Sequence, residues 1–155
     1  MELELLLLPL TMVVLLCIHE SGHLGAAKLL GLRVTHVGFL AKPIPHPYVA
    51  IRWSPVRWKV LVFFFAGVGL TLLQFGLLLL TTHFFHQPFI YFGFCVQLVL
   101  ETNPFYSDFT LAKQFVGGKG RTSHEYSLQW YAHVLLWLLL IIGLFGRQYL
   151  YGYLF

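Results

Sequence analysis

Charged residues are scarce in this chain of 155 residues, in which Asp, Glu, Lys and Arg together make up only 10% of the composition. Soluble globular domains carry about 25% of such residues. Hydrophobic residues instead reach 58%, and the mean hydropathy is +0.75. This balance excludes an ordinary soluble domain and predicts one membrane-embedded domain that covers residues 1–155.

Cysteine and aspartate are nearly absent. The two cysteines, Cys17 and Cys95, both fall in apolar segments. We therefore expect no disulfide framework and predict buried free thiols. Asp108 is the one aspartate of the chain. So few acids leave a short list of candidates for acid–base or metal chemistry.

Basic residues exceed acidic ones, with a formal net charge of +4, but they do not form a patch of the kind that binds nucleic acid. Nine of the ten Lys and Arg residues lie at residues 28–59 and 113–121, between apolar runs, and Arg147 is the exception. The positive-inside rule predicts that these two segments face the cytoplasm and that both termini lie outside. We expect an integral, multi-pass protein of the cell membrane.

Four apolar runs predict four transmembrane helices. They cover about residues 3–30, 56–81, 88–103 and 128–145. Gly31 is a suitable stop for the first helix, and Asn103-Pro104 should end the third, because proline disrupts helical hydrogen bonding.

Two β-type segments lie between the first two helices, at residues 33–53, around a proline-rich stretch at residues 42–47. They predict a membrane-associated β-hairpin. Residues 113–121 are predicted to form a polar loop. The predicted fold is an all-α polytopic membrane protein with one hairpin between its first two helices.

His19-Glu20-Ser21-Gly22-His23 forms an HExxH sequence within the first apolar run. Chance places this pattern in roughly one of a hundred chains of this composition. Residues i and i+4 share a helix face, so His19 and His23 can direct both imidazoles at one metal ion. Glu20 can then take a proton from metal-bound water. The cost of ionisable groups in a bilayer, on the order of 2.5–3.5 kcal/mol each, favours a metal site over coincidence.

A catalytic zinc uses three protein ligands and a water, so a third ligand must come from elsewhere. The first and third spans run in the same direction, which places Asp108 at a depth similar to that of the imidazoles. We predict Asp108 as the third ligand and keep Glu101, an acid within the third span, as the alternative. Asn103 is predicted either to orient Asp108 or the substrate oxyanion, or to cap its helix.

The two motifs together resemble those of the site-2 protease family of intramembrane zinc metalloproteases. In that family an HExxH sequence lies in a membrane helix, and an Asn-Pro segment at the end of a later helix leads to an aspartate. The similarity covers about residues 10–111. It implies that His19, His23 and Asp108 hold zinc and that Glu20 is the catalytic acid and base, toward the cytoplasmic side of the membrane.

The chain departs from the family pattern at two places. Asp108 is followed by Phe109 where the family often has glycine, and Ala66-Gly67 lacks the proline that often follows. Thr71 stands near the position of a family asparagine. Thr71 and Gln74 are therefore candidates for a substrate-orienting role.

The resemblance implies a zinc metalloendopeptidase that hydrolyses peptide bonds of membrane-embedded or membrane-proximal proteins and peptides. The alternative is a catalytically inactive membrane protein of the same fold that binds metal or regulates a partner. A di-iron oxygenase is disfavoured because it needs several histidine clusters. No regulatory domain is recognisable, so we expect regulation to come from a membrane partner or from a second copy of the chain.

Overall fold

The computed structural model describes residues 2–40, 46–81, 88–105, 107–117 and 128–154. The elements in these ranges are α1 (Glu2–Leu29), β1 (Val34–Leu40), β2 (His46–Ile51), α2 (Arg57–Leu79), α3 (Pro88–Glu101), α4 (Asp108–Gly117) and α5 (Leu128–Leu154). The chain divides into two compact units, Met1–Gln97 and Leu98–Phe155. The first contains α1, the hairpin, α2 and most of α3, and the second contains the end of α3, α4 and α5.

Three helices in the described part of the chain are long and apolar enough to cross a membrane, namely Leu7–Leu29, Arg57–Leu79 and Leu128–Gly146. At 1.5 Å per residue the shortest extends about 28 Å, which matches a hydrocarbon core of about 30 Å. Large apolar side chains are exposed along them, as a lipid-facing surface requires; Leu136, for example, is 66% exposed. The molecule is a helical membrane protein, as its composition predicts.

The third predicted span, residues 88–103, forms the shorter helix α3. Its 14 residues extend only about 21 Å, which is less than the thickness of the hydrocarbon core. The helix ends where Thr102 and Asn103 donate side-chain hydrogen bonds to carbonyl groups of its last turn. The described residues thus contain three membrane-length helices and one shorter apolar helix, where four full spans were predicted.

Helix α1 ends at a glycine cap. Gly31 has a φ of 64°, in the left-handed region. Its N–H donates to the carbonyl of Lys28 at 3.2 Å, and the N–H of Leu32 donates to that of Ala27 at 2.8 Å. This pair of hydrogen bonds defines a Schellman motif. The predicted stop at Gly31 is confirmed, and it turns the chain toward the hairpin.

We expect Gly31→Ala to destabilise the protein by about 1–2 kcal/mol, because a Cβ is strained in the left-handed region. Gly25→Ala is the matched control, since a Cβ there meets nothing within 4 Å and alanine favours the helix interior. Thermal midpoints of the purified protein in detergent compare the two variants. Equal midpoints would contradict the structural role assigned to the cap.

The hairpin has the predicted position. β1 and β2 pair antiparallel, with Val37 opposite Val49, and the register shifts between Val34 and His36. β2 makes most of the hairpin's contacts with α1, so β1 is the outer strand. The predicted proline-rich turn falls largely at residues 41–45, outside the described residues.

Small residues bring the helices of the first unit close together. A Cβ added at Gly22 would lie only 2.6 Å from the carbonyl oxygen of Ala66, so α1 contacts the backbone of α2 directly. Lys59 Nζ, in the first turn of α2, donates to the carbonyl of Leu30 after the end of α1 at 2.8 Å, as expected for antiparallel helices. Helix α3 joins this pair at Gly93, where an added Cβ would lie 2.8 Å from a side chain of α1.

The second unit contains a helix where a loop was predicted. Part of the polar segment at residues 113–121 belongs to α4, which ends at residue 117, while residues 118–121 lie outside the described residues. The Ser107 carbonyl accepts hydrogen bonds from the N–H groups of Thr110 and Leu111, which begins the helix. The loop prediction is wrong for residues 113–117, because these residues continue α4, in which Thr110 and Ala112 are buried.

Both cysteines are free, as predicted. Cys95 is buried in α3, but Cys17 is exposed on the surface of α1. The prediction of a buried thiol is wrong for Cys17, because its face of α1 is not covered by another element in the described residues.

Candidate metal centre

Two imidazoles meet on one face of α1. His19 and His23 lie one turn apart, and their Nε2 atoms are 3.0 Å from each other. The rings stand edge-on, with centroids 4.7 Å apart and planes at 78°. Both side chains are buried, with 7% and 4% of their surface exposed. The i, i+4 spacing thus produces the convergence of ring nitrogens that the sequence predicts.

The tautomer of His23 follows from its backbone partner. Nδ1 lies 2.6 Å from the carbonyl oxygen of Phe63 on α2. A carbonyl oxygen can only accept, so Nδ1 carries the proton and donates it, and Nε2 of the neutral ring keeps its lone pair. Metal-binding histidines commonly make such a bond to a carbonyl, which orients the ring. Nε2 of His23 is therefore suited to bind a metal.

Glu20 completes a cluster of three residues with His19 and His23. One carboxylate oxygen and one nitrogen of each ring lie within 4.8 Å of one another. Imidazole nitrogens and carboxylate oxygens are ligands that zinc and related metals accept. The cluster can therefore hold a metal ion. It is the one group of this kind among the described residues.

Gly67 on α2 keeps space beside the imidazoles. A Cβ added at this position would lie 2.6 Å from Nε2 of His19 and 2.6 Å from Nε2 of His23. These are the two nitrogens that would bind the metal, and no heavy-atom side chain can stand against them without displacing a ring. The glycine therefore provides the close approach that the site needs.

The cluster lies within the membrane-length part of α1. His23 and His19 stand about 9 and 15 Å from the C-terminal end of Leu7–Leu29. Apolar residues are buried on both helices that form the site, including Leu15 on α1 at 2% and Val60 on α2 at 0% exposure. In such a low-dielectric setting a charge or a metal ion interacts more strongly with fixed dipoles than in water.

Thr71 and Gln74 continue the Gly67 face of α2 by one and two turns. Thr71 is fully buried, and its hydroxyl donates to the carbonyl of Gly67 at 3.3 Å. Gln74 is half-buried, and its Oε1 has no hydrogen-bond partner among the described residues. The substrate-orienting role of both residues stays a prediction.

Asn103 organises the break between α3 and α4 in the second unit. Its Nδ2 donates to the carbonyl of Leu100, and its Oδ1 accepts the N–H of Phe105 at 3.0 Å. Ser107 Oγ donates to the carbonyl of Asn103. These contacts are those of a helix cap, which was one of the two predicted roles of Asn103. The orienting role stays a prediction.

Asp108, half-buried, is the first residue of α4, where a carboxylate is stabilised by the helix dipole. Glu101 is 6% exposed in the last turn of α3. Asp108 and Glu101 belong to the second unit and the imidazole pair to the first. The third ligand, and the choice between these two acids, therefore stay predictions.

Two parts of this site are absent from the sequence prediction. The sequence identifies Gly67 only as part of the Ala66-Gly67 pair that lacks a following proline, and it gives no indication of the Phe63 carbonyl. The run of small residues at 66–69 was a usable signal for the first, since it indicates close helix packing. A backbone carbonyl has no sequence signal, because every residue carries one.

Comparisons of the chain with protein-family models, with curated proteins and with solved structures find no match. The residues described above are therefore the basis on which a function is proposed.

Proposed function

We propose that the protein is an intramembrane zinc metalloprotease, which hydrolyses peptide bonds of membrane-embedded or membrane-proximal substrates. The observation that carries the proposal is the pair of buried Nε2 atoms of His19 and His23, 3.0 Å apart, inside a membrane-length helix. Glu20 lies beside them within 4.8 Å. A buried polar group in a membrane is costly and therefore usually functional.

His19 and His23 would hold the metal, with Asp108 as the expected third ligand. Zinc, when bound at such a site, polarises a carbonyl and lowers the pKa of a water molecule. The hydrogen bond from His23 Nδ1 to the Phe63 carbonyl holds the ring in the orientation and tautomer that the site requires. Gly67 leaves the necessary space beside both nitrogens.

Glu20 moves the proton in this proposal. Its carboxylate oxygen accepts a proton from the attacking water and then delivers it to the nitrogen of the leaving amine. The carboxylate lies next to the imidazole nitrogens and is only half-buried, so it can face both the water and the substrate. General acid–base catalysis of this kind contributes about 10²–10⁴-fold to a rate.

The hairpin is suited to hold a substrate in an extended conformation. A helical substrate must unwind before its scissile carbonyl is accessible, and an extended segment can add to a free strand edge. β1 is the outer strand, and within the described residues its second edge pairs with no other strand. Val37 and Phe39 on this strand are 57% and 66% exposed, which suits an apolar substrate.

The proposal includes the orientation of the chain in the membrane. The distribution of Lys and Arg predicts that the hairpin and the C-terminal end of α1 lie on the cytoplasmic side. In this proposal the short apolar helix α3 is a fourth membrane crossing. The bilayer thins around it, which has a modest free-energy cost.

We expect the purified full chain to contain about one zinc ion per chain, and His19→Ala or His23→Ala to weaken zinc binding by at least about 100-fold. The reason is that each variant removes a direct ligand, while even outer-shell substitutions cost 10–100-fold. Inductively coupled plasma mass spectrometry and chelator competition measure both quantities. His36→Ala, on the exposed hairpin, is the control and should bind zinc normally. Two metal ions per chain, or unchanged binding in the α1 variants, would contradict the proposed site.

The same titration identifies the third ligand. Asp108→Ala should weaken zinc binding and Glu101→Gln should leave it unchanged. The reverse result would assign the role to Glu101.

A further inference from the structure

A second polar cluster lies in the second unit, apart from the proposed catalytic residues. Nε2 of His133 on α5 lies 2.8 Å from the carbonyl oxygen of Thr102, so it carries the proton and donates. Nδ1 then has a lone pair, and it accepts a hydrogen bond from Lys113 Nζ at 2.9 Å. The neutral imidazole holds the ammonium in place without neutralising its charge.

Lys113 therefore offers a fixed cation. Among the described residues no carboxylate forms a salt bridge with it, and two of its three N–H groups remain for another acceptor. The side chain is half-buried in α4, and the loss of water lowers the pKa of the ammonium. An anion that lay against Nζ would supply the missing charge and the missing acceptors.

An apolar groove of about 500 Å³ begins at this cation. Phe109 and Lys113 line it on α4, and α5 lines it from Gln129 to Leu140. These eleven residue steps correspond to about 16 Å along the helix. One leaflet of the hydrocarbon core is about half of 30 Å thick. The groove thus has the length of one leaflet.

The groove has a cation at one end and apolar residues along its length, which is the arrangement that complements an anionic lipid. Lys113 contacts His133, which lies in the second turn of the membrane-length part of α5, Leu128–Gly146. Lys113 is therefore close to one end of this span. Leu136, Trp137 and Leu140 follow toward the middle of the span. The cation is thus at the interface, and the apolar part reaches into the hydrocarbon. The proposed cytoplasmic side also carries the anionic lipids of a cell membrane.

We propose that this groove binds an anionic phospholipid, with the phosphate at Lys113 and one acyl chain along Leu136 and Leu140. The groove contains none of the proposed catalytic residues, and the inference rests on the proposed function only for the cytoplasmic orientation of this end of α5. Trp137 is a built-in reporter, because it lines the groove and is held in place by a 2.8 Å hydrogen bond from its Nε1 to the carbonyl of Val99.

The test uses the full chain with Trp53, Trp58 and Trp130 changed to Phe, in vesicles of phosphatidylcholine with added phosphatidylglycerol. At equal mole fraction, phosphatidylglycerol with brominated acyl chains should quench Trp137 more than brominated phosphatidylcholine does, with about a five-fold enrichment of the anionic lipid. Lys113→Gln should abolish the difference, and Lys113→Arg should retain it. Lys28→Gln, an exposed cation in the last turn of α1, should leave it unchanged.

A second variant tests the groove itself, and a second measurement that needs no tryptophan substitution keeps the test decisive if those substitutions impair folding. Ala132→Phe fills the groove without changing the charge and should also abolish the difference. Native mass spectrometry of the unsubstituted chain should show phosphatidylglycerol retained in detergent, and Lys113→Gln should lose it. Equal quenching by both lipids, or an excess that survives Lys113→Gln, would overturn the proposal.

Discussion

Glu20→Gln is expected to abolish peptide-bond hydrolysis while leaving about one zinc ion bound per chain. Glutamine has the shape of glutamate but cannot take a proton from water, so the rate should fall by about 10²–10⁴-fold. The imidazole nitrogens of His19 and His23 are unchanged in this variant, and zinc binding should persist. Cleavage of single-pass reporter substrates in proteoliposomes and the metal content of the same samples measure the two effects.

Ser21→Ala is the control for this substitution. Ser21 is the next residue of α1 and is exposed, and among the described residues its hydroxyl donates only to the carbonyl of Ile18 within its own helix. It should retain both zinc and activity. Loss of zinc from Glu20→Gln would show that the carboxylate is a ligand and not the base. An absence of zinc-dependent cleavage in the unsubstituted chain would favour an inactive metal-binding protein.

Gly67→Ala is expected to weaken zinc binding by at least about ten-fold, although the substituted residue has no side chain that could bind metal. The added Cβ would lie 2.6 Å from both Nε2 atoms, so the rings must move apart or α2 must shift. Orienting contacts of metal ligands are worth about 10–100-fold in affinity, and a displaced ring loses them. Chelator competition measures the affinity, and circular dichroism verifies that the helices are intact.

Gly69→Ala provides the matched control on the same helix. A Cβ at Gly69 meets nothing within 4 Å, and alanine stabilises the helix interior. Zinc binding should equal that of the unsubstituted chain. Normal binding in Gly67→Ala would mean that the imidazole pair does not face α2 as described.

Local patterns predict the first half of the fold well. α1, the hairpin and α2 begin and end within a few residues of their predicted positions. The apolar runs are long, and Gly31 ends the first of them with a backbone conformation that favours glycine. Signals of this kind act over a few residues, so they can be recognised before any tertiary contact is known.

The second half is predicted less well. α3 and α4 are short, and α5 continues to Leu154, beyond its predicted end at about residue 145. α4 has only ten residues and a mixed composition, so its glycine and lysine residues resemble a loop. Packing of Thr110 and Ala112 stabilises it, as tertiary contacts do for most short helices. The boundaries of α3, by contrast, lie within a few residues of the prediction, and the helix ends where Thr102 and Asn103 donate side-chain hydrogen bonds to its last carbonyl groups.

By itself the sequence determined that this is a helical membrane protein and that His19 and His23 share a helix face with Glu20 nearby, because composition and the helical period are local properties. Only the tertiary structure decided which groups from other helices face the two imidazoles. Phe63 is 40 residues from His23 along the chain, and it contributes a carbonyl. Gly67 leaves space beside the imidazoles because it has no side chain. Lys113 and His133 are hydrogen-bonded although they lie 20 residues apart along the chain. Such groups become functional through their position, which arises when separate helices pack together.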